Sequence, residues 1–173
     1  MTYTTTWKPD LTLVCIEEEV KALDTNQDLS RNGLYARAFL QGMKMSPGGW
    51  LKVQSWLGQV KTGENRVPSS MQVTLNEEMR AQLDKISSEI RKDLGLKRLK
   101  KTYMFKLILL NYRDSLRQKA MEAAMGKDGG PVGQMDGPEM VAALTRLLLL
   151  NRREDGPILE ELRQILLKWR QSI

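Results

Sequence analysis

One six-residue segment, Ser70–Leu75 (SMQVTL), constrains this chain more than any other. It alternates without a break, with Met71, Val73 and Leu75 on one face and Ser70, Gln72 and Thr74 on the other. That period of two predicts a β-strand buried on one side only. A lone strand of this kind cannot satisfy its own backbone or cover its apolar face, so it needs a second strand and a layer of helices.

The residues that follow supply helices. Asn76 is suited to cap one, with Glu77 and Glu78 in its first turn and Met79, Leu83, Ile86 and Ile90 along its buried face. Gly95 is its stop. Leu99–Tyr112 (LKKTYMFKLILLNY) then predicts a second helix, from Lys101 or Thr102 to about Lys119, cationic at its start and almost wholly apolar afterwards.

The same order is expected earlier in the chain. After a Thr-rich lead, Leu11–Ile16 (LTLVCI) reads as a short β-prone run and Glu17–Asp24 as a helix with Val20 and Leu23 on one face. Ser30 caps a second helix, Arg31 to about Gln41, carrying Leu34, Ala38 and Phe39 and stopping at Gly42. Gly33 inside it costs about 1 kcal/mol relative to Ala. A turn at Pro47-Gly48-Gly49, a short helix from Trp50 to Val60 with Val53, Trp56 and Leu57 inward, and a loop at Thr62–Asn65 connect the two copies. Strand, helix, turn, helix therefore occurs twice, which predicts an internal duplication.

Beyond it, Gly126–Pro138 holds five Gly and two Pro and reads as a flexible linker. Two Leu-rich helices are expected after it, Pro138 to about Asn151 and Pro157 to about Gln171, each opening on a proline. Their stripes, Leu144, Leu147 and Leu148 on one and Leu159, Leu162, Ile165, Leu166 and Trp169 on the other, suit a helical hairpin that packs on the main domain, self-associates or docks another protein. The expected organisation is a domain over 1–120 (copy one about 10–42, connector 43–67, copy two about 68–120), a linker over 121–137 and a hairpin over 138–173.

Charge and composition narrow the function. The 173 residues carry a net charge of +6 with a pI of about 9.5. Arg66–Lys119 holds thirteen Lys/Arg against six Asp/Glu, so the basic excess sits in the middle third. Such concentration fits a nucleic-acid footprint, although charge runs also serve as plain solvated faces. There is no histidine, which removes Ser-His-Asp and Cys-His catalysis and the commonest zinc sites. No phosphate-binding glycine motif or metal-ligand spacing occurs, so neither enzymatic activity nor a metal or cofactor is expected. The single Cys15 fits a reducing compartment. No apolar run reaches the roughly 20 residues of a membrane span. MTYTTTWKPD has no cationic start followed by an apolar core, so no secretion signal is expected. Together these features lead to an expected cytoplasmic location.

Leu99–Tyr112 and Leu29–Gly42 (LSRNGLYARAFLQG) both resemble the second-helix signature of the Arc/MetJ/CopG ribbon-helix-helix superfamily, and MQVTLNEEM resembles its strand and first-helix start. The tandem arrangement is also similar, in architecture, to an accessory DNA-binding protein of T-DNA and plasmid transfer systems. The resemblance implies a mainly α fold with a two-stranded antiparallel β-ribbon: a pseudo-dimeric ribbon-helix-helix within one chain, plus the C-terminal hairpin. It implies double-stranded DNA as partner. Ser70, Gln72 and Thr74 would face bases, and Lys97, Arg98, Lys100, Lys101 and Thr102, with Ser30, Arg31 and Asn32 in the first copy, would meet phosphates. The function implied is transcription regulation or an accessory role in plasmid transfer or partition, and with it a bacterial protein at nucleoid or plasmid. An antitoxin-like module working through the C-terminal helices is the alternative, and RNA binding is disfavoured by the lack of stacking aromatics. With Ile16 matched to Leu75, the first strand would present Leu11, Leu13 and Cys15, which cannot hydrogen-bond bases. Binding should then be asymmetric, anchored by the second copy.

Overall fold

A computed structural model describes residues 2–24 and 30–125. It is mainly helical with one two-stranded antiparallel sheet. In chain order the elements are β1 (Tyr3–Trp7), α1 (Leu11–Leu23), α2 (Arg31–Gly42), α3 (Gly49–Ser55), a 3-10 turn (Leu57–Gln59), β2 (Met71–Leu75), α4 (Glu77–Leu94) and α5 (Lys101–Met125). Met1–Ser115 forms one compact unit; Leu116–Ile173 forms a second, of which the end of α5 is the described part. The linker from residue 126 and the stripes expected at Leu144, Leu147, Leu148, Leu159, Leu162, Ile165, Leu166 and Trp169 lie outside the described residues.

The second strand lies where the alternation places it, with Met71, Val73 and Leu75 buried and Gln72 and Thr74 exposed. Asn76 Oδ1 accepts from the Met79 amide at 2.8 Å and so caps α4. Gly95, at φ +63°, closes that helix in the left-handed conformation glycine tolerates. Leu83, Ile86 and Ile90 form its buried face and Met79 is half-buried.

The first strand is not where the sequence reading puts it. Leu11–Ile16 belongs to α1, and the partner of β2 is the Thr-rich lead, Tyr3–Trp7. Two local features decide this. Asp10 Oδ1 accepts from the Leu13 amide at 3.0 Å, an N-cap that starts the helix six residues earlier than expected. Leu13, Ile16, Glu17 and Val20 are then buried on one helical face, a period that outweighs the β-propensity of LTLVCI. Tyr3, Thr5 and Trp7 meanwhile turn inward and Thr4 and Thr6 outward. The strand that precedes α1 thus begins at Tyr3, not near residue 10 as expected of a first copy. Leu11, Leu13 and Cys15 do not lie on a ribbon: Leu13 is in the core, and the Cys15 thiol accepts from the Gly63 amide and Asn65 Nδ2. The match of Ile16 to Leu75 falls with it, because Trp7 is the last residue of β1 as Leu75 is of β2.

The register pairs Tyr3 with Leu75, Thr4 with Thr74, Thr5 with Val73, Thr6 with Gln72 and Trp7 with Met71. Beneath the ribbon Trp7 meets Phe105 of α5 at 4.1 Å and Tyr35 of α2 at 5.6 Å between ring centroids. Phe105 also meets Tyr35 edge-on at 5.2 Å. The LILL run of α5, Leu107–Leu110, is fully buried, as expected of a helix apolar on all sides. The helix continues to Met125, past the expected end near Lys119 and into residues 121–125 read as linker. Gly42 permits α2 to approach α4, since a Cβ there would sit 2.8 Å from Ile86 Cδ1. In the connector Trp50 and Val53 are buried, whereas Trp56 and Leu57 stay half-exposed because α3 ends at Ser55.

Candidate functional site

The solvent face of the ribbon presents four polar side chains, Thr4 and Thr6 from β1 and Gln72 and Thr74 from β2, with Thr2 and Ser70 exposed at its margins. Opposed side chains on such a face stand about 5 Å apart, so the four form one continuous patch of hydroxyls and an amide. Nothing covers it among the described residues. Sequence reading identified the β2 half, Ser70, Gln72 and Thr74, and missed Thr4 and Thr6. Their signal was the alternation of Tyr3, Thr5 and Trp7 with β-branched threonines between them.

Each outer edge of the ribbon is tied to the first turn of a second helix. At the β2 edge the Thr74 amide donates to Asn32 Oδ1 of α2 at 3.0 Å. At the β1 edge Lys101 Nζ of α5 donates to the Thr6 carbonyl at 3.3 Å, and Thr102 Oγ1 donates to the Lys8 carbonyl at 2.7 Å. These bonds satisfy backbone groups that an edge strand otherwise leaves open. They also bring the positive N-terminal ends of α2 and α5 beside the exposed face.

The eight residues expected to hold phosphates divide on this geometry. Ser30 Oγ caps α2 through the Gly33 amide at 3.1 Å. Arg31 Nε is engaged by the Glu17 carboxylate at 3.0 Å, and Asn32, Lys101 and Thr102 fasten the ribbon. Lys97, Arg98 and Lys100 are exposed and make no ion pair with a described residue. The first five therefore have structural work, and the last three keep free cationic heads. Arg80 of α4 adds a further exposed cation, stacked 4.3 Å from the centroid of the Tyr3 ring.

Behind the α2 terminus lies a charged network. Glu17, 2 % exposed, accepts from Lys21 at 2.7 Å, from Arg31 and from the Tyr35 hydroxyl at 3.2 Å. Burial, with the Glu17 charge second, pushes the Tyr35 hydroxyl well above the ordinary tyrosine range. A second network joins the buried Asp24 carboxylate to Arg37 and to the Tyr112 hydroxyl, each at 2.9 Å. Burial, then the bond to Asp24, raises Tyr112 to about 12. Each carboxylate accepts from two or more donors on neighbouring elements, an arrangement that holds helices together.

Among the described residues no group of three or more Cys, Asp or Glu could hold a metal ion, and no helix is long and apolar enough to cross a membrane. No protein-family model, curated protein or solved structure matches the chain.

Proposed function

We propose that this protein is a non-enzymatic, sequence-preferring double-stranded DNA-binding protein of ribbon-helix-helix type, with both copies of the motif in one chain. The observation that carries the reading is the exposed Thr4–Thr6–Gln72–Thr74 face of an antiparallel ribbon whose two edges are fastened to the N-termini of α2 and α5. A two-stranded ribbon fits the major groove, about 12 Å wide, and its outward side chains then meet base edges. Helix N-termini at the groove margins present amides and dipole to phosphates, and Lys97, Arg98 and Lys100 add charge. By element order β1-α1-α2 corresponds to β2-α4-α5, and each contributes one strand, so one chain does what two identical subunits do in a dimeric reader. A regulatory role or an accessory role in plasmid transfer or partition would use the same chemistry.

The test is binding to duplexes over a range of salt. Lys97→Ala with Lys100→Ala should weaken binding to every duplex and reduce the slope of log K against log salt by roughly two. Gln72→Ala should cost about 1–3 kcal/mol on the preferred duplex and little on others. Binding unaltered in both variants would leave the ribbon without a role in DNA recognition.

A further inference from the structure

The exposed face of the ribbon is a two-by-two tile in which Thr4 stands opposite Thr74 and Thr6 opposite Gln72. A half-turn about the centre of the Thr5–Val73 pair lays β1 on β2, exchanging Thr6 with Thr74 and Thr4 with Gln72. The two positions exchanged by this half-turn, Thr6 and Thr74, are each fastened at the outer edge by the start of a helix, through different backbone groups. The carbonyl of Thr6 is held by Lys101 and the amide of Thr74 by Asn32, each residue being second or first in its helix. One diagonal of the tile is thus chemically identical, threonine with threonine, and the other is not. Gln72 carries an amide that donates and accepts together; Thr4 carries a shorter hydroxyl and a methyl.

Resting on the DNA-binding reading, we infer that the preferred duplex is a near-palindrome: its halves match where Thr6 and Thr74 read them and differ at the base pair met by Gln72 in one half and Thr4 in the other. A glutamine amide satisfies adenine N6 and N7 in a bidentate pair, so the Gln72 half carries adenine. Threonine lacks the reach for that pair and takes a thymine methyl or a single hydrogen bond. Two identical chains could not encode such a difference. A single chain sets its two strands independently, and here the difference is concentrated in one side chain.

The experiment is selection from randomised duplexes with the full-length chain, as wild type, Thr4→Gln and Gln72→Thr. Both positions are exposed, and coincident thermal melts of the three proteins establish that the fold is retained. Wild type should enrich a near-palindrome with adenine at the deciding position of one half only. Thr4→Gln should place adenine in both halves and bind the symmetric duplex roughly 5- to 150-fold more tightly than wild type does, the discrimination of one bidentate contact. Gln72→Thr should remove adenine from both. A fully palindromic wild-type site, or the same motif from all three proteins, overturns the inference and leaves duplex binding standing. Enrichment of no duplex, with no retention of a mixed-sequence duplex at low salt, removes the DNA-binding reading and the inference together.

Discussion

The two strand–helix–helix halves have the same element order and are held together by different chemistry. In the second, α4 follows an aliphatic rule: Leu83, Ile86 and Ile90 go inward, charges go outward, Asn76 caps it and Gly95 ends it. In the first, the apolar face of α1 (Leu13, Ile16 and Val20) is supplemented by buried polar groups that tie it to α2, Glu17 with Arg31 and Tyr35, and Asp24 with Arg37. The half built on an amphipathic stripe can tolerate most single changes on its surface. The half that adds buried carboxylates to its apolar core depends also on their partners being present, since a buried charge that loses its donors is costly. One topology can thus be reached by two energetic routes, and the halves differ in where they are vulnerable.

The strongest way to break the contrast is at the seam. Phe105 of α5 lies against Trp7, Tyr35 and Phe39 of the first half. Phe105→Ala should cost about 3–5 kcal/mol, read as a shift in a single cooperative denaturant transition. Two separated transitions would mean that the halves are stable independently, and the contrast would become one between domains.

A sharper comparison sets the two kinds of glutamate side by side. Glu17→Ala should destabilise by about 1.5–3 kcal/mol, toward the lower figure because Lys21 and Arg31 are about a third exposed and can rehydrate. Glu78→Ala, on the exposed first turn of α4, should stay within about 0.5 kcal/mol. Equal effects would erase the distinction drawn between the halves.

The smallest effect is confined to alkaline solution. The Tyr112 hydroxyl, bonded to Asp24, titrates at about 12 in the folded chain against an ordinary 10. The folded state favours the neutral phenol, so its contribution is complete below pH 10 and is lost as pH rises toward 12. Wild type should therefore lose stability faster than Tyr112→Phe across that window, with parallel curves below it. Parallel curves throughout would remove Asp24–Tyr112 as a pH-sensitive tie.

The sequence was most legible where local signals agreed. SMQVTL alternates, Asn76 caps and Gly95 terminates, and β2 and α4 fall on those marks. It misled where propensity and burial disagreed. LTLVCI looks like a strand residue by residue, yet Asp10 starts a helix there and Leu13, Ile16 and Val20 are spaced for the core. The tract before it, YTTTW, alternates as a strand does, but five residues of threonine-rich lead do not show what they pair with until β2 stands beside them. Among the functional candidates, Gln72 and Thr74 could be read from alternation alone. That Asn32, Lys101 and Thr102 fasten the ribbon could not, because their partners lie 42, 95 and 94 residues away.

By itself, then, the amino-acid order determined the period-two strand Met71–Leu75, the helices on either side of Gly95 with the Asn76 cap of the first, the cationic middle third and the absence of histidine chemistry. Those are properties of neighbouring residues, set by backbone preference and hydrophobic spacing. Only the tertiary structure decided which segment pairs with that strand, which cations remain free and how Thr4 comes to share a face with Gln72. Strand pairing and charge pairing join residues far apart in the chain, and burial, which selects among the candidates, exists only once the core has closed.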